Sequence, residues 1–575
     1  MEVEARAQFL RGISIFEGLP PESVARIAER AQPRDLVAGE WLFREGDPAD
    51  ALYVLRSGRI EILQESGGRE AVIRAVPSGG VLGELALLTG ERRSASVRAR
   101  RDSALLQVSR EAFMELLEGD PLFATSLSRT LAGQFARTRV AATPREPVPP
   151  VVAAATLCEH EAGASFTQAL AAELADVGLL TLEDSGTGDG YAELLDQAER
   201  AHGQVLLHVE PGRGEEWDSF CLRQADRVLA VVDGGAAPVA GLGGADLAVL
   251  GSADVRRWAT ALQPRAVHLV DGDESVARLA RRLSGRSPGV VLSGGGARGM
   301  AHVGVLRELL DAGAVIDRLG GCSMGALVAA LFATGLSPEE IEERLREEFV
   351  KRNPIGDYTL PLAALVRGRR AQSMLVRLFG DQRIEELPRE FFCVSSDLVS
   401  SELVVHRRGV LGEAVGASIC LPGIAPPRSQ EDRLLVDGGV LNNLPVETMA
   451  GRGEGPVIAV DVSARYQAPA RKAGGVRRPR LERLSSWARR AVIGWDAALP
   501  TFTETLMRSV VLGSIDTAEA AQRHADLVIA PSVQGIGLTE WERLDTLRAQ
   551  GAEAARRVLS STAAEVLEPL GIRAG

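Results

Sequence analysis

What this chain lacks narrows it first. No run of eighteen apolar residues occurs, so no membrane-crossing helix is expected. Met1 to Arg11 has no apolar core of signal-peptide length, so a cytoplasmic protein is expected, with any membrane contact peripheral and at the inner face. Cysteines are few and odd in number: Cys158, Cys221, Cys322, Cys393 and Cys420 are widely spaced and form no C-x-x-C pair, so neither a disulfide framework nor a metal site is expected. A net charge of -12 argues against a general nucleic-acid binder, and no nucleic-acid partner is expected.

What is present begins with length. A chain of 575 residues exceeds one ordinary core and predicts about three domains. Pro21 to Arg30 reads as a helix. Short β-type runs come after it at 40–43, 51–55, 59–63 and 71–76, punctuated by turn signals at Gly46-Asp47, Ser57-Gly58 and Gly67-Gly68, the pattern of a small antiparallel roll. Amphipathic segments come next, at 110–118 and 122–140.

Inside the roll, residues 82–97 read as a short turn whose free N–H groups suit a phosphate, with an arginine to pair with it and a glutamate to accept a ribose hydroxyl. The stretch resembles the phosphate-binding cassette of cyclic-nucleotide-binding domains, and Gly46-Asp47 and Tyr53 to Gly58 fit that family's β-roll. The resemblance implies that Glu84 holds the ribose 2′-hydroxyl, that Arg93 pairs with the cyclic phosphate, and that Gly83, Leu85, Ala86 and Ser94 line the cassette. The implied ligand is cAMP or cGMP in a regulatory role; Arg92 reads as a solvated charge.

A proline-rich linker, Thr143 to Pro150, leads into alternating strands (151–156, 203–209, 227–232, 266–270) and helices (165–177, 217–225), the pattern of a parallel α/β sheet. Gly163 to Thr167 stands where a phosphate loop would lie, but G-K-[ST] is absent, which excludes nucleotide hydrolysis of that type. Trp217 and the run Cys221 to Asp226 resemble a stretch that precedes the catalytic domain in proteins like neuropathy target esterase; their residues read as a packing surface between domains.

The chemistry lies further on. Val290 to Leu306 reads as strand, glycine loop and helix. Such a loop serves a dinucleotide when an acidic ribose partner ends the next strand. Here the next strand, expected over 314–319, leads instead into Gly321-Cys322-Ser323-Met324-Gly325, a serine between glycines before an apolar helix, the pattern of a nucleophile elbow. A glycine loop beside a nucleophile can aim N–H groups at a developing oxyanion, which gives Gly294, Gly295, Gly296, Arg298 and Gly299 that expected duty. Downstream, an apolar strand ends in Asp437, with Gly438 and Gly439 directly after it, either a general base on a tight turn or a turn without catalytic duty.

Together, G-G-G-A-R-G, G-C-S-M-G and D-G-G closely resemble the patatin-like phospholipases. The similarity extends to Val394 to Leu398, Ala417 to Gly423, Pro426-Pro427 and Ala525 to Ile529. With the roll in front, the chain looks like a bacterial relative of neuropathy target esterase, without that protein's N-terminal anchor and with one recognisable nucleotide-binding domain.

The resemblance implies a multidomain fold: a cyclic-nucleotide-binding antiparallel β-roll with helices (1–142), an α/β domain (143–286) and an α/β patatin-like serine hydrolase (287–575). It also implies a Ser323–Asp437 dyad acting on phospholipid or lysophospholipid esters, with no cofactor for catalysis. His524, the only histidine after Asp437, is the candidate for a competing Ser-His-Asp triad.

Basic residues from Arg471 to Arg490 near Trp487 and Trp495, and Arg367, Arg369 and Arg370 within 355–379, suit an anionic membrane surface. The alternative function is a nucleotide-sensing lipid-binding scaffold on an inactive hydrolase fold. A transcription factor of the catabolite-activator type would need a helix-turn-helix where the linker and α/β region stand.

Overall fold

The computed structural model describes residues 3–16, 19–66, 69–76, 78–119, 148–181, 183, 190–235, 242–359, 364–430, 432–463, 518 and 520–572. The Gly67-Gly68 turn, the 122–140 segment, linker residues 143–147 and the basic stretch around Trp487 and Trp495 lie outside the described residues. Two compact units are formed, residues 1–266 with 270–284, and 267–269 with 285–575.

The first unit opens with an antiparallel sheet of β1 (Gln32–Leu36), β2 (Trp41–Phe43), β3 (Ala51–Ser66), β4 (Arg69–Val76), β5 (Val81–Leu82) and β6 (Ser96–Ser109). The expected break at Ser57-Gly58 is a bulge inside one long strand: β3 runs through it, its register against β6 shifting between Leu55 and Arg59. Gly58 has φ +95°, and a Cβ there would lie 2.5 Å from the Asp102 carbonyl oxygen, so the same glycine that signals a turn here bends a continuous strand. The helices Pro21–Arg30 and Arg110–Gly119 form as expected.

Next in the chain is a parallel sheet, ordered β12-β11-β10-β7-β9-β8. Its strands are β7 (Val151–Thr156), β8 (Val177–Leu180), β9 (Gln204–Val209), β10 (Arg227–Val232), β11 (Asp246–Leu250) and β12 (Val267–Val270). β7 and β9 are buried along their whole length, as continuous apolar runs in a covered parallel sheet should be. The expected helix 165–177 instead spans His160–Glu173, so Gly163 to Thr167 lies within a helix, and Val177 opens β8. Gly163 is needed there because a Cβ would come within 2.8 Å of Thr156 Cβ.

The Trp217–Asp226 cluster packs against the roll. Trp217 is buried, its indole N–H donating to the His208 carbonyl at 2.9 Å. Asp226, its side chain 2% exposed, accepts from Val151 N–H and sits 3.7–3.9 Å from Arg59, Arg100 and Arg101 of β3 and β6. Arg101 also reaches Glu199 at 2.7 Å and the Gln224 carbonyl at 3.1 Å. Burial pushes the Arg59 pKa down, against the pull of Asp226. Asp226→Ala would strand this guanidinium cluster without its central anion. Because removing one partner of a buried ion pair costs about 3–5 kcal/mol, thermal unfolding of the full chain is expected to show an earlier first transition. An unchanged melting profile would contradict this.

The second unit holds an eight-stranded sheet ordered β17-β18-β15-β14-β13-β19-β20, with β16 paired to β15. The strands are β13 (Gly289–Leu292), β14 (Arg318–Cys322), β15 (Glu390–Asp397), β16 (Leu403–His406), β17 (Arg428–Gln430), β18 (Arg433–Asp437), β19 (Val457–Val460) and β20 (Leu527–Ile529). Side chains from alternate positions enter different cores: Val290 and Leu292 join one, Val291 the other. The sheet is therefore covered on both faces.

The strand before the serine begins four residues later than expected and includes both glycines, Gly320 and Gly321. A Cβ at Gly320 would sit 2.3 Å from the Phe392 ring, so this strand segment packs by backbone rather than by the apolar side chains that signal strands.

Candidate functional site

Parallel pairing sets Leu292 of β13 opposite Gly321 of β14, so the glycine loop and the serine emerge at one sheet edge. β14 pairs with β15, Cys322 opposite Val394. β18 then runs antiparallel to β15 and puts Asp437 opposite Ser395, one step further along. Three segments distant in sequence thus converge.

Ser323 adopts φ +53°, ψ -124°, a left-handed conformation costly for a non-glycine residue. Its N–H donates to the Ser418 hydroxyl at 3.0 Å, and its carbonyl accepts from Leu327 N–H at the start of the fully buried helix Met324–Ala333. The flanking glycines are required by close approach. A Cβ at Gly325 would lie 2.3 Å from the Leu292 carbonyl oxygen, and one at Gly321 2.7 Å from the Gly325 carbonyl carbon. Gly299 is likewise confined, by Met324 at 2.4 Å.

Asp437 is buried. Its Oδ1 accepts from Gly439 N–H at 2.8 Å and lies 3.5 Å from Cys322 Sγ; its Oδ2 has no hydrogen bond of regular geometry. Burial pushes the carboxyl pKa up to about 6, opposed by the Ser323 hydroxyl, the Gly439 amide and the Cys322 thiol. Ser323 keeps 8% exposure whereas Cys322 has none, and burial together with Asp437 raises the Cys322 thiol well above its usual range. Gly438 is fixed by Val394, whose carbonyl oxygen would lie 2.5 Å from a Cβ.

The glycine loop divides. Gly294 N–H already donates to the Asn443 carbonyl at 3.2 Å, which corrects the expectation that Gly294 is an oxyanion donor. The amides of Gly295 and Gly296 donate to no protein acceptor among the described residues. Gly296 has φ +54°, and the Leu538 carbonyl leaves no room for a Cβ. Arg298 Nε donates to the Ile536 carbonyl at 2.8 Å, so this side chain fastens the loop to the 533–538 segment.

The roles of two neighbours escaped the sequence reading. Ser418 holds the serine amide, and Asn443 brackets Gly294, its Nδ2 donating to the Gly294 carbonyl at 3.1 Å. The only sequence signal for the second is its place in the Asn442-Asn443-Leu444-Pro445 run behind D-G-G.

No histidine partners Ser323 or Asp437 among the described residues. His524 lies in a turn before β20. His302 Nε2 donates to the Ser293 carbonyl at 2.9 Å, and burial lowers its pKa to about 4. His406 bonds Ser395 at 2.7 Å and is also lowered to about 4, by burial and Arg433. Arg367, Arg369 and Arg370 are exposed, while Met374, Leu375 and Phe379 of the helix Arg369–Phe379 pack into the core. Among the described residues, no helix is long and apolar enough to cross a membrane.

In the roll, the cassette is a helix, Glu84–Thr89, between left-handed Gly83 and Gly90. Leu85 and Ala86 lie on this helix, Glu84 is buried and Ser94 is exposed. Arg93 is buried: its guanidinium bonds Asp50 at 3.0 Å and the carbonyls of Ala51 and Gly83 at 2.8 and 3.2 Å, and lies 4.2 Å from the Phe43 ring centre. Arg92 is exposed yet donates to the Gly46 carbonyl at 2.7 Å, tying the cassette to the Gly46-Asp47 turn.

Comparison with known proteins gives two matching families: patatin-like phospholipase over residues 290–450 and cyclic nucleotide-binding domain over residues 33–120. An NTE family protein of Mycobacterium tuberculosis is 35% identical over 570 residues, covering 96% of each chain. The human patatin-like phospholipase domain-containing protein 6 is 28% identical over 511 residues, covering 74% of this chain and 37% of that one. Lysophospholipase nte1 of Aspergillus fumigatus is 26% identical over 659 residues, covering 93% and 42%. The chain thus spans less than half the length of these two eukaryotic relatives. Among solved structures, the N-terminal domain of a Streptomyces coelicolor transcriptional regulator is 31% identical over 24% of this chain and 97% of that one, with a TM-score of 0.21. The chain belongs to the NTE family, with a cyclic-nucleotide-binding domain ahead of a patatin-like phospholipase domain.

Proposed function

We propose that the protein is a serine lipid esterase that hydrolyses fatty-acyl esters of lysophospholipids or phospholipids through Ser323 and Asp437. The observation that carries the reading is the buried Asp437 carboxylate: Gly439 fixes one of its oxygens, and the Ser323 hydroxyl interacts with the same group. Ser323 Oγ attacks the ester carbonyl as Asp437 takes its proton. The oxyanion meets the amides of Gly295 and Gly296, which have no other acceptor among the described residues. Asp437 returns the proton to the leaving alcohol, then takes one from the water that attacks the acyl-enzyme and passes it to Ser323 Oγ as the fatty acid leaves. An ordinary aspartate is a weak base; a pKa near 6 brings this one closer to working pH.

The test is labelling with a fluorophosphonate probe, with the modified peptide mapped. Adduct on Ser323 alone, with lysophospholipid hydrolysis blocked in proportion, is the expected result. Absence of both labelling and hydrolysis would favour a lipid-binding scaffold.

The roll is the proposed regulatory site for cAMP or cGMP, with Glu84 on the ribose and Arg93 on the cyclic phosphate. Because Arg93 already has Asp50 as an anionic partner, the phosphate must compete with that carboxylate or share the guanidinium. Arg93→Ala is expected to weaken fluorescent cyclic-nucleotide binding by about tenfold or more and to abolish any nucleotide effect on hydrolysis; wild-type binding by the variant would refute the assignment. The proposed domain divisions are 1–142, 143–286 and 287–575. Peripheral contact at the inner membrane face completes the reading, and co-sedimentation with anionic but not neutral vesicles checks it.

A further inference from the structure

The half-buried Arg428 stands close to the proposed dyad with no role in it. On β17 it pairs with Leu435, two residues before Asp437. Its guanidinium lies flat on Gly416: a Cβ there would fall 2.5, 2.7 and 2.9 Å from Cζ, Nη2 and Nε. Nη2 donates to Gln372 Oε1 at 2.6 Å. It also interacts with the Cys420 thiol, and the Cys420 carbonyl accepts from Asp437 N–H.

Gly416 belongs to the helix Leu411–Ser418, whose last residue holds the Ser323 amide. Among the described residues, no carboxylate lies within 4 Å of Arg428. A guanidinium seated by a glycine, oriented by a glutamine and, among the described residues, without a counter-charge is built to receive an anion with oxygens in a fork.

We propose that Arg428 binds the phosphate of a phosphoglyceride substrate and so selects lysophospholipid over neutral glycerides; this rests on the esterase reading above. The strand register is on the scale of that ligand. Two residues of strand between Leu435 and Asp437 cover about 7 Å. Six bonds separate a glyceryl ester carbonyl from its phosphorus, a reach of about 7 Å, like two extended residues. The uncharged Gln372 and Gly416 leave the guanidinium's charge for the ligand.

The test compares kcat/KM for lysophosphatidylcholine and for monoacylglycerol of the same acyl chain, in the same mixed micelles, using the full chain. In Arg428→Gln the ratio is expected to fall about tenfold or more, mainly through KM for the phospholipid. Gly416→Ala keeps the charge but displaces the guanidinium, and should lower the ratio in the same direction. Parallel loss on both substrates, or an unchanged ratio, would overturn the proposal. So would inorganic phosphate altering monoacylglycerol hydrolysis in wild type but not in Arg428→Gln, which would make this a free-anion site. Wild-type protein inactive on both esters would overturn the esterase reading itself, and is told apart because it needs no variant.

Discussion

Asp437→Asn is expected to lower kcat for ester hydrolysis by about 10³-fold or more while making the protein more stable at pH 8. The amide keeps the shape of the carboxylate but cannot take the Ser323 proton. The stability gain comes from the raised pKa. A carboxyl that titrates near 3.8 unfolded and about 6 folded binds protons more tightly in the folded state. Stability therefore falls as pH rises from about 4 to 6, and the penalty is complete above 6. The difference of roughly two pKa units is worth about 3 kcal/mol. Asparagine does not ionise, so its advantage should grow from pH 4 to 7 and then level off.

The same titration sets activity. The wild-type kcat should be half-maximal near pH 6 and fall about tenfold per unit below it. Parallel denaturation and pH-rate series on both proteins check this. An Asn variant that retains activity, or one less stable at pH 8, would reject the proposed base. His524→Ala should keep most activity, since neither dyad residue has a histidine partner among the described residues; a loss matching that of Asp437→Asn would restore the triad.

Gly325→Ala is expected to be among the most damaging methyl additions in the second unit, and the one that strikes the serine turn directly. Its Cβ would enter within 2.6 Å of three backbone atoms, Leu292 C and O and Ser293 O. No side chain can swing aside, so the serine turn must part from β13. Overpacking of this kind costs about 1–3 kcal/mol where neighbours yield, and more where they cannot. Loss of soluble protein, or soluble protein without fluorophosphonate labelling, is expected. Wild-type labelling and melting would show that the elbow tolerates a displacement the packing argues against.

These two positions also show what the sequence conveys. Gly321, Ser323 and Gly325 were legible because their constraint is local: a tight turn between strand and helix needs small residues at those spacings. Asp437 was legible only as one of two alternatives, since burial and the raised pKa depend on distant segments. Ser418 was legible only as part of the family-like run 417–423; its role was not, because nothing in a run ties a hydroxyl to an amide 95 residues away. Asn443 was missed for the same reason, and Gly294 was misassigned because its donor is used by a carbonyl 149 positions away.

The fold shows the same division. Periodicity located β7, β9 and β10, whose apolar runs are long. It missed β8 and β11, strands of only four and five residues, and it split β3 at a glycine that makes a bulge.

The Asn443 bracket limits how this protein can change. Asn443 grips Gly294 from both sides, by main chain and by side chain, while Asp437, six residues earlier, is fixed by its own amide bond to the Cys420 carbonyl. The intervening chain is a ruler of fixed length between carboxylate and glycine loop. Substitutions along it can be absorbed, but one inserted or deleted residue would slide one anchor off its partner. Variation among working descendants of this chain is therefore confined there to residue identity, and changes of length must fall elsewhere.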